Sequence, residues 1–197
     1  MVRPAKGEFM RLGRILEAGA QGIMYPRCTD VAEAREVVVW SKFAPLGRRG
    51  LDGGNPDMPY CSLPVGDYIR AANKETFLVV QLEDRGAVAQ AHAIADVDGV
   101  DVLFFGPADF TVLSGIPGQF DDPQVWEAIE TIADAARRAG KHWGMPTWSA
   151  EHARKLLDLG ARFLCHGADI LLVKHGHEEI QRRFGPLGFT FDRKLSV

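Results

Sequence analysis

The sequence predicts an α/β fold built from repeated strand–helix units. Three segments carry that prediction: LEAGAQGIMYP (16–26), ARRAGKHWGMP (136–146) and LDLGARFLCHG (157–167). Each reads as the end of an amphipathic helix, then Gly, then one to three residues, then a short apolar run. Gly suits the left-handed residue that ends a helix. The apolar run suits a strand buried on both faces of a parallel sheet. Helix, Gly, strand, three times over, is the pattern of an α/β protein.

In chain order, strands are expected near 22–25, 77–83, 101–106, 142–146 and 163–166. FLVVQLE (77–83) and DVLFFGP (101–107) are apolar, β-branched or aromatic, and end in turn-like residues. Helix starts are also legible. Asp30 precedes VAEAREVVVWS, with Glu33 placed for a reciprocal cap. Asp122-Pro123 opens QVWEAIETIADAARR, with Pro at the first helical position. Ser149 opens AEHARKLLDL, and Gly160 closes it. The Gly- and Pro-rich span 43–66 breaks this rhythm. It is too long for a routine connection, so it reads as a functional loop carrying Arg48, Arg49, Leu51 and Tyr60, or else as a solvated linker between domains.

Composition sets outer limits. The 197 residues are enough for one domain with a sizeable core. Gly at 21 and Pro at 11 are too few for collagen or a disordered linker, and suit a fold with many tight turns. A net charge of −3 without a basic patch argues against a nucleic-acid partner. No apolar stretch reaches the roughly 18 residues of a membrane helix. The N-terminus lacks the apolar core of a signal peptide. Cys28, Cys61 and Cys165 are odd in number and widely spaced, which argues against a disulfide framework or a zinc finger and points to the cytoplasm. A full eightfold (β/α) barrel runs to roughly 250 residues, so this chain falls short of one.

In parallel α/β folds, chemistry gathers at the C-terminal ends of the strands. Two acids stand there: Glu83 after FLVVQL, and Asp109 in DVLFFGPAD. Gln81 lies two residues before Glu83 and shares its side of the strand. A carboxylate directly after a buried run is costly to bury unpaired. A hard divalent cation would pair with both acids and leave positions open for waters and substrate oxygens. The same placement also fits helix N-caps or surface acids, Asp109 especially. Arg3, in VRP, reads by itself as a solvated side chain near a terminus. Among the histidines, His142 starts its strand at the wrong end for a site, His92 and His152 read as helix surface, and His166 ends a strand. His175-Gly176-His177 has no acid nearby and is a weak metal signal. There is no nucleophile elbow and no glycine-rich phosphate loop.

VVQLED, FFGPADFTVLSGIPGQFDDPQV and GARFLCHGADILLVKHG resemble the HpcH/HpaI aldolase family, as do PLGRRG (45–50) and IMYPRCTDVAEAR (23–35). The resemblance runs from Val2 to about Gly176. Its specific part is the Q-x-E strand with G-P-x-D, whose acids are 26 residues apart. It implies a TIM (β/α)8 barrel of the phosphoenolpyruvate/pyruvate type. It implies a metal-dependent lyase, a class II aldolase that reversibly cleaves a 2-oxo-4-hydroxy acid to pyruvate, or a similar 2-oxo acid, and an aldehyde. A more distant branch is citrate lyase β-like.

Matched by position, Glu83 and Asp109 correspond to the carboxylate ligands of Mg²⁺, Mn²⁺ or Co²⁺. Gln81 corresponds to the glutamine beside the pyruvate site. Arg3 corresponds to the arginine that contacts the substrate oxo group and stabilises the enolate. Gly106, Pro107 and Ala108, with Asp109, correspond to the turn against the pyruvate carboxylate. The aldehyde half is expected near the 43–66 loop, Leu113 and Trp148. The implied partners are a small 2-oxo acid and an aldehyde, with no nucleic acid and no membrane. A homo-oligomer, a trimer of dimers, is also implied. Residues 1–197 then form one domain, with the tail 178–197 as a segment exchanged with a neighbouring subunit.

The sequence departs from the family pattern at its start. That pattern has two further βα units, the second with a D-G-E-H-like segment whose acid and His act on a metal-bound water as general base. This sequence has no such segment and opens at Val2-Arg3, inside the third strand of the pattern. About six of the eight strands are therefore expected. Exposed strand edges follow, as does weak or absent aldolase activity for residues 1–197 alone. A catalytically inactive relative, acting as a binding or assembly module, is the alternative.

Overall fold

A computed structural model describes residues 1–191. Five parallel strands form one sheet in chain order: β1 (Gly22–Tyr25), β2 (Phe77–Leu82), β3 (Val102–Phe105), β4 (His142–Pro146) and β5 (Phe163–Cys165). All five predicted strands are present, within a residue at most ends. Helix α1 (Phe9–Glu17) precedes β1. Helices α2 (Val31–Ser41) and α3 (Val65–Glu75) lie between β1 and β2, and α4 (Arg85–Ala89) and α5 (Ala91–Ala95) between β2 and β3. Helices α6 (Pro107–Leu113) and α7 (Pro123–Arg138) lead to β4, α8 (Ala150–Asp158) leads to β5, and α9 (Asp169–Phe184) follows.

The local signals act as their chemistry requires. Asp30, Asp122 and Ser149 each accept a backbone N–H of the first turn of α2, α7 and α8. Gly19, Gly140 and Gly160, at the ends of α1, α7 and α8, have φ of +97°, +66° and +89°, a region where a side chain is strained. The cap at Asp30 differs from expectation in one respect. Glu33 does not return a bond to Asp30. It accepts from the Thr29 N–H at 2.8 Å, from the Tyr25 hydroxyl at 2.6 Å and from Lys6 Nζ at 2.7 Å. The carboxylate is drawn to a cation and a phenol on neighbouring segments, so the reciprocal bond slides one residue back.

The sheet is buried on both faces, which is why its strands read as unbroken apolar runs. Ile23, Tyr25, Leu78, Val80, Leu82, Leu103, Phe105, Trp143 and Met145 join the main core with residues of α1, α2, α5 and α7, such as Leu12, Val37, Ile94, Ile129 and Ile132. Met24, Val79, Val102 and Phe104 form a smaller cluster on the other face. Register confirms the alternation: Met24 pairs with Val79, Val79 with Val102, and Gln81 with Phe104. That second face is concave. The rings of Phe77 on β2 and Phe163 on β5 are 6.4 Å apart, although a flat sheet would separate those strands by about 14 Å. Phe104 closes the group at 5.9 Å from Phe163.

Glycine makes the inner face possible. A Cβ on Gly22 would lie 2.5 Å from the Phe77 ring, and one on Gly144 would lie 1.6 Å from the Phe163 carbonyl oxygen. The second clash is with backbone and has no rotamer escape. Gly144→Ala is therefore expected to cost about 3 kcal/mol or more, read as a lowered denaturation midpoint at constant m-value. An unchanged midpoint would contradict this packing of β4 against β5.

One further strand position exists. Val2 N–H donates to Gly22 O at 3.0 Å, and Met24 N–H donates to Val2 O at 2.9 Å. Val2 thus pairs in parallel with β1, opposite Ile23. Arg3 follows at the C-terminal side of that bridge, level with the site end of the sheet.

The 43–66 span is packed, not a solvated linker. Arg49 is buried, donates to Asp57 at 2.7 Å and to the Tyr68 hydroxyl at 3.2 Å, and its guanidinium lies 4.6 Å from the Phe43 ring centroid. Tyr68 donates to the same Asp57 carboxylate at 2.6 Å. Arg49 staples the loop to α3, whereas Leu51 and Tyr60 are exposed.

Contacts divide the chain into two units, Met1–Leu164 and the residues from Cys165 onward. The second unit is built on α9, where Ile170, Leu172, Val173, Ile180 and Phe184 are exposed. The predicted exchanged tail, 178–197, covers the end of α9, and residues 192–197 lie outside the described residues. No helix among the described residues is long and apolar enough to cross a membrane.

Candidate active site at the C-terminal ends of the strands

The loops after β1 and β3, with the segment after Val2, bring Arg27, Asp109 and Arg3 into electrostatic reach of Glu83, which follows β2. Glu83 is central. It follows the buried end of β2 and is only 5% exposed. Its Oε2 accepts the Arg27 N–H at 2.8 Å, and its Oε1 accepts from Gln81 Nε2 at 3.3 Å. Burial raises the Glu83 carboxyl above its ordinary value. The Arg27 N–H works against that shift, the charge of Asp109 adds to it, and the charges of Arg3 and Arg27 oppose it.

Gln81 is 3% exposed, on the inner face beside Phe104. Its Nε2 is used on Glu83, and its Oε1 has no hydrogen-bond partner among the described residues. A buried acceptor left unpaired is uncommon and costly. Gly106, after β3, donates its N–H to Leu82 O at 3.1 Å. A Cβ there would lie 2.2 Å from Glu83 Oε1, so the turn backbone lies directly against the carboxylate because residue 106 is glycine.

Gly106 is also the N-cap of α6. Pro107 is buried at the first helical position, while Ala108 and Asp109 are exposed in the first turn. The helix-cap reading of the two acids is thereby corrected. The cap of α6 is Gly106 and not Asp109. The cap of α4 is Asp84, which accepts the Ala87 N–H at 2.8 Å, and not Glu83.

Could a cation be held here? Among the described residues, no group of three or more His, Cys, Asp and Glu side chains converges. The oxygen donors on offer are the buried Glu83 carboxylate, the Asp109 carboxylate whose charge acts on it, and the orphaned Gln81 Oε1. That set fits a hard dication that keeps water or substrate oxygens on its remaining positions, and does not fit a closed structural zinc site.

The other polar candidates separate from this cluster. His142 is exposed at the start of β4, as expected, and His92 pairs with Asp134 at 2.9 Å. His152 departs from its expected surface position. It is 6% exposed, stacked 3.7 Å from the Trp148 ring and edge-on to Trp126. Burial lowers its pKa. The adjacent Trp148 forms a shelf with Phe120 and is 43% exposed, and Leu113 at the end of α6 is 52% exposed. Cys28 is fully buried, and burial pushes its thiol up to about 12.

Arg27 is the site residue that sequence reasoning missed. A charged residue after Tyr25-Pro26 reads as ordinary turn chemistry, and its backbone role depends on a left-handed φ of +49° that no local signal announces.

The HpcH/HpaI aldolase/citrate lyase family profile matches residues 1–176. This chain belongs to that family. It is 34% identical over 196 residues to the 4-hydroxy-2-oxo-heptane-1,7-dioate aldolase of Salmonella paratyphi B, covering all of this chain and 72% of that protein. Among solved structures, the HpcH/HpaI aldolase from Desulfitobacterium hafniense is similar with a TM-score of 0.85 and 30% identity, over 93% of this chain and 71% of that one. A citrate lyase beta subunit from M. tuberculosis, complexed with oxaloacetate and magnesium, shares the fold at a TM-score of 0.56 and 17% identity, over 85% of this chain and 66% of that one.

Proposed function

We propose that this HpcH/HpaI family member is a divalent-metal-dependent carbon–carbon lyase. It reversibly cleaves a 2-oxo-4-hydroxy acid into pyruvate, or a similar 2-oxo acid, and an aldehyde. The observation that carries the reading is the buried Glu83 carboxylate, set within the fields of Asp109, Arg3 and Arg27 in a chain of this family. The aldolase relative at 34% identity supports the same chemistry. In this reading residues 1–197 are one domain of a TIM-type barrel of the phosphoenolpyruvate/pyruvate class.

Glu83 and Asp109 would hold Mg²⁺, Mn²⁺ or Co²⁺. The cation supplies Lewis-acid stabilisation of negative charge on the substrate's 2-oxo oxygen. Cleavage breaks the C3–C4 bond: the 4-hydroxyl gives up its proton to water, its oxygen forms the aldehyde C=O, and the C3–C4 electron pair moves toward the 2-oxo oxygen. Arg3 donates charge-assisted hydrogen bonds to the same oxygen as charge grows there. The Arg27 N–H and Gln81 Nε2 fix the Glu83 carboxylate, and Gln81 Oε1 remains available to the incoming ligand. The Gly106–Pro107–Ala108 turn presents backbone to the substrate carboxylate. The aldehyde half lies toward Leu113 and the Trp148 shelf. The partners are small molecules, and the assembly is a homo-oligomer in the cytoplasm.

Oxaloacetate decarboxylation tests the charge-stabilising half of this reading. Loss of CO2 leaves its electron pair on the same oxo acid without removal of a hydroxyl proton. The expected result is decarboxylation by protein with Mn²⁺ well above the rate of the same Mn²⁺ alone. Equality of the two rates would refute the proposal.

A further inference from the structure

The turn after β1 is strained, and a lysine with no part in the chemistry holds it. Arg27 adopts a φ of +49°, a left-handed conformation that is uncommon for a residue with a Cβ. Such a conformation persists only where its surroundings over-determine it. Three hydrogen bonds do so here. The Arg27 N–H donates to Glu83 Oε2 at 2.8 Å, the Arg27 carbonyl accepts from Lys6 Nζ at 2.6 Å, and the Cys28 N–H donates to Gln81 O at 2.9 Å. The first of these fixes the carboxylate on which the site is built. The second comes from a side chain on another segment.

Lys6 is itself held in place. An ammonium has three N–H donors, and three acceptors surround this one: Arg27 O, Glu33 Oε1 at 2.7 Å and Glu33 Oε2 at 2.8 Å. Glu33 in turn accepts from the Tyr25 hydroxyl at 2.6 Å and from the Thr29 N–H and hydroxyl at 2.8 and 2.9 Å. An exposed lysine–glutamate pair is worth little by itself. This pair differs, because the Glu33 side chain is only 13% exposed and the same ammonium makes a charge-assisted bond to the carbonyl of a strained turn. The segment that carries Lys6 is tied at both ends. Val2 is bound to β1, and the Gly7 N–H donates to the Tyr25 hydroxyl at 3.0 Å. Arg3 lies on that segment, so one ammonium couples it to the turn that grips Glu83.

We propose that Lys6 is a positioning residue for the lyase: by holding the Arg27 carbonyl, it keeps the left-handed turn whose N–H fixes the Glu83 carboxylate as a metal ligand. Glu33 sets the ammonium in place. The inference rests on the lyase reading and adds to it a residue that acts only through the backbone of another.

Lys6→Met tests it, because methionine keeps the apolar stem and removes the donors. In the metal-free protein, the Arg27 amide of this variant is expected to exchange with solvent at least about 10-fold faster than in the wild type, read by NMR. Mn²⁺ affinity, read by calorimetry, is expected to fall about 10-fold, the lower end of the loss seen when groups that support a metal ligand are removed. Arg27→Gly separates this role from general stability. Glycine adopts a positive φ without strain, so the turn in that background no longer depends on Lys6. There, Lys6→Met is expected to change Mn²⁺ affinity by less than about twofold. Equal losses in the two backgrounds would mean that Lys6 only stabilises the fold, and would overturn the proposal. An unchanged Arg27 amide or an unchanged Mn²⁺ affinity in Lys6→Met would overturn it as well. Absence of Mn²⁺ binding by the wild type would overturn the lyase reading, and exchange of the Arg27 amide would still decide whether Lys6 holds the turn.

Discussion

Replacing Glu83 by Gln is expected to weaken Mn²⁺ binding by at least about 100-fold, a loss at the upper end of what even supporting groups around a metal cause. The same change is expected to stabilise the metal-free protein. The two effects have one origin. Glu83 is held above its ordinary carboxyl value chiefly by burial, so the folded metal-free chain holds that proton more tightly than the unfolded chain does. Its favourable contribution is complete below the ordinary carboxylate range and is lost as pH rises through the raised folded value. At neutral pH a buried carboxylate with Asp109 as a neighbour opposes folding until a cation sits beside it. Gln is nearly isosteric and still accepts the Arg27 N–H. Its amide can donate to the orphaned Gln81 Oε1 once that side chain turns over.

A gain of about 1 kcal/mol corresponds to roughly 2–4 °C in melting temperature for a chain of this size. Titration calorimetry with Mn²⁺ and melting curves with and without the ion read both effects. Stoichiometric Mn²⁺ binding by the variant at wild-type affinity would end the ligand assignment.

Arg3→Ala is expected to lower kcat for oxaloacetate decarboxylation by about 10²–10³, the usual loss when a donor aimed at developing charge is removed. Mn²⁺ affinity should change little, because Arg3 acts on the substrate oxygen and not on the cation. Arg3→Lys should recover part of the rate, since it restores charge but not the guanidinium's paired donors. The placement behind this prediction is concrete. Val2 is locked beside β1 through the Gly22 carbonyl and the Met24 amide, so the next residue stands at the site end of the sheet. Its charge acts on Glu83 from there. A kcat within about threefold of wild type would remove Arg3 from the reaction.

Legibility differed from element to element for physical reasons. The strands were readable because a parallel sheet covered on both faces needs apolar residues at every position, as in Phe77–Leu82 and Val102–Phe105. Helices α2, α7 and α8 were readable because Asp30, Asp122 and Ser149 cap them through their own side chains. Helices α3, α5 and α9 start without a side-chain cap; α6 also lacks one, and Pro107 is the local mark of its start. His152 reads as surface by its polarity, but it lies one turn before the buried Leu156 and shares its side of α8. Trp148 and Trp126, from other segments, enclose it.

At the site, Gln81, Glu83 and Asp109 were visible as polar residues following apolar strands. Arg3 was visible only through family resemblance, since a lone arginine near a terminus has no signature of its own.

Sequence alone determined the α/β class, the positions of the strands along the chain and the family, and it singled out Glu83 and Asp109 as candidates, because each depends on short-range pattern or on motif spacing. Tertiary structure alone decided that Gly106 lies against the Glu83 carboxylate, that Gly144 lets β5 close over β4, and that Arg49 staples a loop. It also decided that the Arg27 backbone N–H holds the Glu83 carboxylate. Those facts depend on distances between residues up to 56 positions apart in the chain, and on a φ that packing imposes. No local pattern in the sequence encodes either.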